Sequence, residues 1–236
     1  MLTQAEVKVL KMRVEEIKKT IAQTEEDSKP YDAERRIALK GELAELEDKI
    51  KHYENYSKKI SGESNLGRRF KSRTFNSFNP KGNEKVYECL KRYASTFGEN
   101  GGKGVLLIGD VGTGKTHLAA AIVNELISQN TPAMFMTSID LFSVLRDFES
   151  QKDRLKKIKS VPLLVIDDLG KEKITDWNRE QLFTIINTRY ENYLPVVITS
   201  NDTTEELERN VGGAIYSRLC EMCVLVNMSG KDYRKQ

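Results

Sequence analysis

Gly109-Asp110-Val111-Gly112-Thr113-Gly114-Lys115-Thr116 is the stretch on which the fold turns. It matches the phosphate-binding pattern G-x-x-x-x-G-K-[ST]. An apolar run, Val105–Ile108, precedes it and an Ala-rich helical stretch, Leu118–Ile127, follows, which is the strand–loop–helix context the pattern requires. The glycines let backbone N–H groups converge on the β- and γ-phosphates of a nucleotide, and the following helix adds the positive end of its dipole. Lys115 supplies a point charge, and the Thr116 hydroxyl is placed to ligate magnesium. The spacing predicts an ATP site over Gly109–Thr116 with Mg2+ as the second cofactor. His117, directly after it, is read as a helix residue and is counted at the end of the nucleotide-binding run.

Downstream, Leu163-Leu164-Val165-Ile166-Asp167-Asp168 is an apolar strand ending in two carboxylates. Neighbouring residues on a strand face opposite ways, so the two acids cannot share a task. By position, Asp167 is expected to hold the magnesium with Thr116, and Asp168 to polarise the attacking water. A third run, Val196–Thr199, leads through Ser200 to Asn201. Asn201 either hydrogen-bonds the γ-phosphate or lytic water, or is a turn residue; its position alone does not choose. With Ala133–Met136 and Val224–Val226 there are five short apolar runs alternating with helical stretches. That alternation predicts an α/β fold, a mostly parallel five-stranded sheet with helices on both faces. Cys220-x-x-Cys223 has no second pair and runs into an apolar strand, so both cysteines are read as small buried hydrophobes and not as a zinc or redox site. Trp177 opens a helix whose Leu182, Ile185 and Ile186 form a core stripe, and it is given no function.

Upstream, Val7, Leu10, Val14, Ile17 and Ile21 recur at spacings of three and four. After a break around Pro30, the seam resumes with Leu39, Leu43, Leu46, Ile50, Tyr53 and Ile60, Ser57 filling its one polar place. Residues 1–60 therefore read as an antiparallel helical hairpin that binds a partner, with a self-associating coiled coil or a plain spacer as rival readings. Residues 61–80 lack periodicity and read as a linker, and 81–236 as the ATPase domain. Charge divides along the same lines. Residues 1–60 carry thirteen basic and thirteen acidic side chains, and 76–236 carry twenty-one of each; the net +3 resides in Arg68, Arg69, Lys71 and Arg73 against Glu63. This short basic stretch, interleaved with Phe70 and Phe75, can lie on phosphates with aromatic stacking, or can be a solvated linker.

The length of 236 residues allows one α/β domain and a small accessory element. A hydrophobic share of 39%, a charged share of 31% and a mean hydropathy of −0.53 exclude fibrous and disordered classes. No apolar run approaches the ~20 residues of a bilayer helix, and Met1–Leu10 lacks the features of a secretory signal. Three cysteines fit a reducing compartment, so the expected location is the cytoplasm, away from any membrane.

Four strings carry a family resemblance: GDVGTGKTHLAAAI from Gly109, LLVIDDLG from Leu163, VVITSND from Val196 and IYSRLCEMCVLVNMSGKDYR from Ile215. Together they resemble the DnaC/DnaI-type replicative helicase loaders, AAA+ ATPases related to the IstB transposition helpers. The resemblance covers about residues 65–236 and leaves 1–60 without a family signature. It implies an AAA+ core whose sensor-1 strand lies between the P-loop and Walker-B strands. Asn201 then falls at sensor 1, Arg218 at the arginine finger acting on a neighbouring subunit's nucleotide, and Arg234 at sensor 2. Only eighteen residues follow Arg218, too few for a helical lid, and the loader and IstB relatives resemble this chain in lacking one. A homo-oligomeric spiral or ring would complete the site. In that branch a helical insertion between the second and third strands faces single-stranded DNA. Here that place holds Asp140–Phe148 followed by Lys152, Arg154, Lys156, Lys157 and Lys159, whose bland alternative is a solvated lysine face.

Three functions compete. The resemblance implies an ATP-dependent loader that grips the hexameric replicative helicase with residues 1–60 and puts it on single-stranded DNA. An IstB-like helper of DNA transposition is the alternative. A P-loop small-molecule kinase fits worst, because Asp167, Asp168, Asn201 and Arg218 suit water activation and subunit contact, and no lid excludes water.

Overall fold

The computed structural model describes residues 4–26, 32–63, 67–146, 151–170 and 174–230. The chain divides into two compact units, Met1–Lys59 and Ile60–Gln236.

In the first unit α1 (Gln4–Glu26) faces α2 (Asp32–Glu63). Val7, Val14, Ile17 and Ile21 are buried, as are Tyr53 and the seam's polar member Ser57, whereas Leu39, Leu43, Leu46 and Ile50 are half-buried. Ion pairs join Lys11 to Glu54 at 2.8 Å, Lys18 to Glu47 at 3.0 Å and Lys40 to Glu25 at 3.2 Å. As one partner moves up α1 the other moves down α2 by the same number of residues, which is the register of an antiparallel hairpin. These pairs are open to solvent and screened, so they select the register more than they stabilise it. Val9, Met12 and Ile37 remain exposed apolar side chains.

The second unit begins differently from the linker that its sequence suggests. Within residues 67–80, α3 (Arg68–Lys71) and a series of turns pack on the ATPase core. Phe75 is buried; Phe70 lies against Phe135 with ring centroids 5.5 Å apart, and Asn124 Nδ2 donates to the carbonyls of Phe70 and Arg73. Aromatic residues at 70, 75 and 78 are spaced by turns and not by a helix or strand, so they leave no periodic signal. Burial also removes Phe75 from any stacking on bases.

The core follows as α4 (Glu84–Ser95), a 3-10 turn at Phe97–Glu99, β1 (Gly104–Gly109), α5 (Lys115–Ser128), β2 (Ala133–Thr137), α6 (Ser138–Arg146), α7 (Gln151–Ser160), β3 (Leu163–Asp167), α8 (Asp176–Glu191), β4 (Val196–Ser200), α9 (Thr204–Val211), α10 (Gly213–Met222) and β5 (Cys223–Met228). The five strands pair in parallel in the order β2-β3-β4-β1-β5, as the alternating pattern predicts. β3 and β4 are buried at every position and β1 at all but Gly109, which is why they read as unbroken apolar runs: helices cover both faces of the sheet. At the edge, β5 leaves Val224 and Leu225 half exposed. Ala119, Ala120 and Ala121 let α5 lie close against the sheet.

Two details depart from expectation. Cys223 is buried, with its thiol pKa pushed up to about 12 by that burial, but Cys220 is exposed and does not act as a core hydrophobe. Arg189 of α8 is fully buried, and desolvation lowers its pKa to about 9. Its guanidinium donates to the carbonyls of Ile158, Pro162 and Pro195, tying α8 to the end of α7 and the approaches to β3 and β4.

Candidate nucleotide site

The P-loop joins the end of β1 to the start of α5. Gly114 caps α5 at φ 100°, in the left-handed region, and a Cβ there would come within 2.5 Å of the Phe78 ring. Gly109, at φ 139°, passes so close to the Met228 carbonyl of β5 that a side chain has no room. Asp110 and Val111 are exposed at the loop's apex, whereas Gly112 and Thr113 are buried, Thr113 Oγ1 donating to the Asp110 carbonyl at 2.9 Å. Lys115 is buried, and its Nζ donates to the carbonyls of Gly109 at 2.6 Å and Asp110 at 2.7 Å. The ammonium is thus held on the loop that it would serve.

The strand order brings the acids beside this loop, because β4 lies between β1 and β3. Asp167, at the end of β3, is buried; desolvation raises its pKa above the usual carboxylate range, and the neighbouring Asp168 adds to the rise. Hydrogen bonds from the Thr199 and Thr116 side chains and the charge of Lys115 pull the other way. Asp168 turns out of the strand with φ 57°, an uncommon conformation for a residue with a side chain. It is fixed there by Ser138 Oγ, which donates to its carbonyl at 3.0 Å, and by its own N–H, which donates to Thr199 Oγ1 at 2.9 Å. Asn201 Nδ2 lies 3.5 Å from Asp168 Oδ1.

Thr199 is the member of this group that sequence reasoning missed. Fully buried on β4, its hydroxyl donates to Asp167 Oδ1 at 2.6 Å while accepting from the Asp168 amide, so one atom positions both acids. A hydroxyl inside the apolar run Val196-Val197-Ile198-Thr199 was the available signal. Thr116 and Asp167, a half-buried hydroxyl and a buried carboxylate, offer a pair of hard oxygen donors suited to Mg2+. Among the described residues no group of three or more acidic, histidine or cysteine side chains forms a metal cage.

The other expected site residues lie elsewhere. His117 turns away from the loop: Nδ1 is 3.3 Å from an Arg73 guanidinium nitrogen, Nε2 is 2.9 Å from the Thr74 carbonyl, and the Phe78 ring meets it edge-on at 5.1 Å. Burial lowers its pKa. These contacts make its side chain a tie between α5 and residues 73–78. Arg218, on α10, makes its hydrogen bonds to Asn187 of α8 and to Ala214, and none of these reaches Gly109–Thr116. Arg234 lies outside the described residues.

A parallel sheet ordered β2-β3-β4-β1-β5, with a P-loop after β1 and paired acids after β3, defines a P-loop ATPase of the AAA+ class. The chain belongs to the family described as IstB-like ATP binding protein, which it matches over residues 7–236. It is similar to the phage-like element PBSX protein XkdC of Bacillus subtilis, 32% identical over 75% of this chain and 72% of that one. It also resembles the replicative helicase loader DnaI of the same organism, 29% identical over 53% of this chain but only 42% of DnaI. The crystal structure of the DnaC helicase loader superposes with a TM-score of 0.64 at 28% identity, covering 69% of this chain and all of that one. Among the described residues no helix is long and apolar enough to cross a membrane.

Proposed function

We propose that this chain couples ATP binding and hydrolysis to the placing of a hexameric replicative helicase on single-stranded DNA. The observation that carries the reading is the contrast in surface chemistry between its two units. A charge-neutral hairpin with exposed Val9, Met12 and Ile37 suits a protein partner, while the ATPase unit bears Lys152, Arg154 and Lys156 on the exposed side of α7. The likeness to two helicase loaders supports the same reading.

In this reading the amides of Gly109–Thr113 and the Lys115 ammonium cradle the phosphates. Thr116 and Asp167 would hold Mg2+, which would supply positive charge to offset that of the phosphates. Asp168, held half-buried at the end of β3, accepts a proton from the attacking water, and Asn201 orients that water. Arg218 of a neighbouring copy approaches the γ-phosphate and stabilises the charge that develops as the bond breaks, so the active form is a homo-oligomer. Cytoplasmic action follows from those partners.

The family description favours one other reading, an ATPase helper of DNA transposition. A single experiment separates the two: capture with the tagged full chain and with a form lacking residues 1–60, in the presence of ATP. The loader reading expects the hexameric helicase with the full chain and its loss on deletion, with ATPase and single-stranded DNA binding retained. Recovery of a transposase in place of the helicase would overturn it. Neutralising Lys156, Lys157 and Lys159 should do the reverse, weakening DNA binding and reducing its salt dependence by up to about one unit of slope per lost phosphate contact.

A further inference from the structure

Arg218 is held with unusual care for a side chain at the surface. Its Nε donates to Asn187 Oδ1 at 2.7 Å, a second guanidinium nitrogen donates to the Ala214 carbonyl at 2.9 Å, and its Cζ lies 4.8 Å from the Phe183 ring centroid and 5.8 Å from that of Tyr190. Phe183, Asn187 and Tyr190 are spaced by four and three along α8, so they form one stripe under α10. The Asn187 amide is oriented in turn, since its Nδ2 donates to Glu191 Oε1 at 2.8 Å, which presents Oδ1 to the arginine.

All the groups holding Arg218 are neutral. An amide, a carbonyl and two rings hold it, and among the described residues it makes no ion pair. Glu221 stands one turn away on the same helix, at a spacing that favours Arg–Glu pairing, yet among the described residues no ion pair joins the two. A guanidinium kept for stability is usually paired with a carboxylate; one that must meet a phosphate is better held without neutralisation, so that its full charge and planar fork remain for the incoming oxygens.

We infer that Asn187, supported by Phe183 and Tyr190, is the positioning residue for Arg218: α8 presents the guanidinium oriented and uncompensated to the triphosphate of an adjacent copy. This rests on the trans action of Arg218 proposed above. Asn187 never touches nucleotide; it acts by reducing the freedom that Arg218 would otherwise lose in the transition state.

The test is steady-state ATPase of the full chain at an oligomer-forming concentration, with nucleotide affinity and thermal midpoint measured in parallel. Asn187→Ala should lower kcat at least about tenfold with KM changed less than about twofold, because the misplaced group contributes only as the bond breaks. Asn187→Asp separates charge from structure. Made together with Glu191→Gln, which supplies a donor where the Asn187 amide met the Glu191 carboxylate, it keeps the acceptor and the geometry, so a structural role predicts wild-type turnover, whereas the positioning role predicts a kcat lowered as far as in Asn187→Ala with the thermal midpoint unchanged or raised. Phe183→Leu, which keeps the apolar contact but removes the ring face, should give a smaller fall in kcat. If Arg218→Ala hydrolyses ATP normally, the trans-finger reading itself falls. If Arg218→Ala is inactive while Asn187→Ala and Asn187→Asp turn over like wild type, the cradle alone is refuted.

Discussion

Replacing Thr199 with valine keeps the shape of the side chain and removes one oxygen, so the consequences are those of two lost hydrogen bonds and not of a cavity. The bond to the buried Asp167 carboxylate, at 2.6 Å, is of the charge-assisted kind worth about 1.5–3 kcal/mol. The Asp168 amide loses its acceptor as well; a fully buried orphan costs about 1–3 kcal/mol, but Asp168 is only half-buried and water can partly replace the hydroxyl. Together the loss should come to about 3 kcal/mol. With a urea slope of about 2 kcal/mol per molar, the unfolding midpoint of the nucleotide-free chain should fall by about 1.5 M. A double-mutant cycle with Asp167→Asn should return a coupling of at least about 1 kcal/mol, since both changes remove the same bond. Turnover should fall further than stability alone accounts for, and the Mg2+ requirement should rise, because the Asp167 carboxylate loses a bond that favours its ionised form. A midpoint displaced by less than about 0.3 M, with coupling near zero, would refute the assignment of Thr199 as the pivot of the two acids.

Two shorter tests address the site and its support. Lys115→Ala should abolish ATP binding, measured by fluorescent-nucleotide titration, whereas Asp168→Asn should bind normally and lose turnover by at least about a hundredfold, since its carboxylate is needed only as water is activated. His117 titrates below its ordinary value because it is buried, so the unfolded chain takes up its proton first. The stability it contributes is complete above about pH 6.5 and declines as pH falls through the lower folded-state value, and a His117→Gln chain should lose less of its urea midpoint between pH 7.5 and 5.5 than wild type does.

The parts of the fold most legible from residues were those where local and tertiary demands agree. The P-loop announces itself because phosphate chemistry fixes residue types at fixed spacing. β3 does so because two carboxylates directly after a fully apolar strand are costly unless a cation or a reacting water makes use of them. The parallel sheet follows from alternation, though its order rests on the family resemblance, since no pattern within a strand says which neighbour it will pair with. Phe70, Phe75 and Phe78 escaped because turns impose no period. The contacts of the His117 side chain were not legible for a related reason: adjacency to Thr116 says nothing of direction, and one step along a helix rotates a side chain by about 100°. Thr199 was hidden by its own chemistry, a β-branched residue indistinguishable from Val197 until the partner across the sheet is known.

The sheet order also dictates a schedule. β1 carries the P-loop, yet both its neighbours arrive late: Val105 pairs with Val197 on one side and with Val224 on the other. On a ribosome adding about 5–20 residues per second, roughly 6–24 s separate the synthesis of Val105 from that of its last partner. Until β4 is made the nascent chain holds a fully apolar strand with both edges unpaired, and until β5 is made one edge stays open, while β2 and β3, adjacent in sequence and in space, can already zip together. Nucleotide therefore cannot guide the early stages of folding, and the hairpin unit, finished first, emerges tethered to an ATPase that is still incomplete. A partner gripping that hairpin during translation would meet a protein able to bind but not yet to hydrolyse.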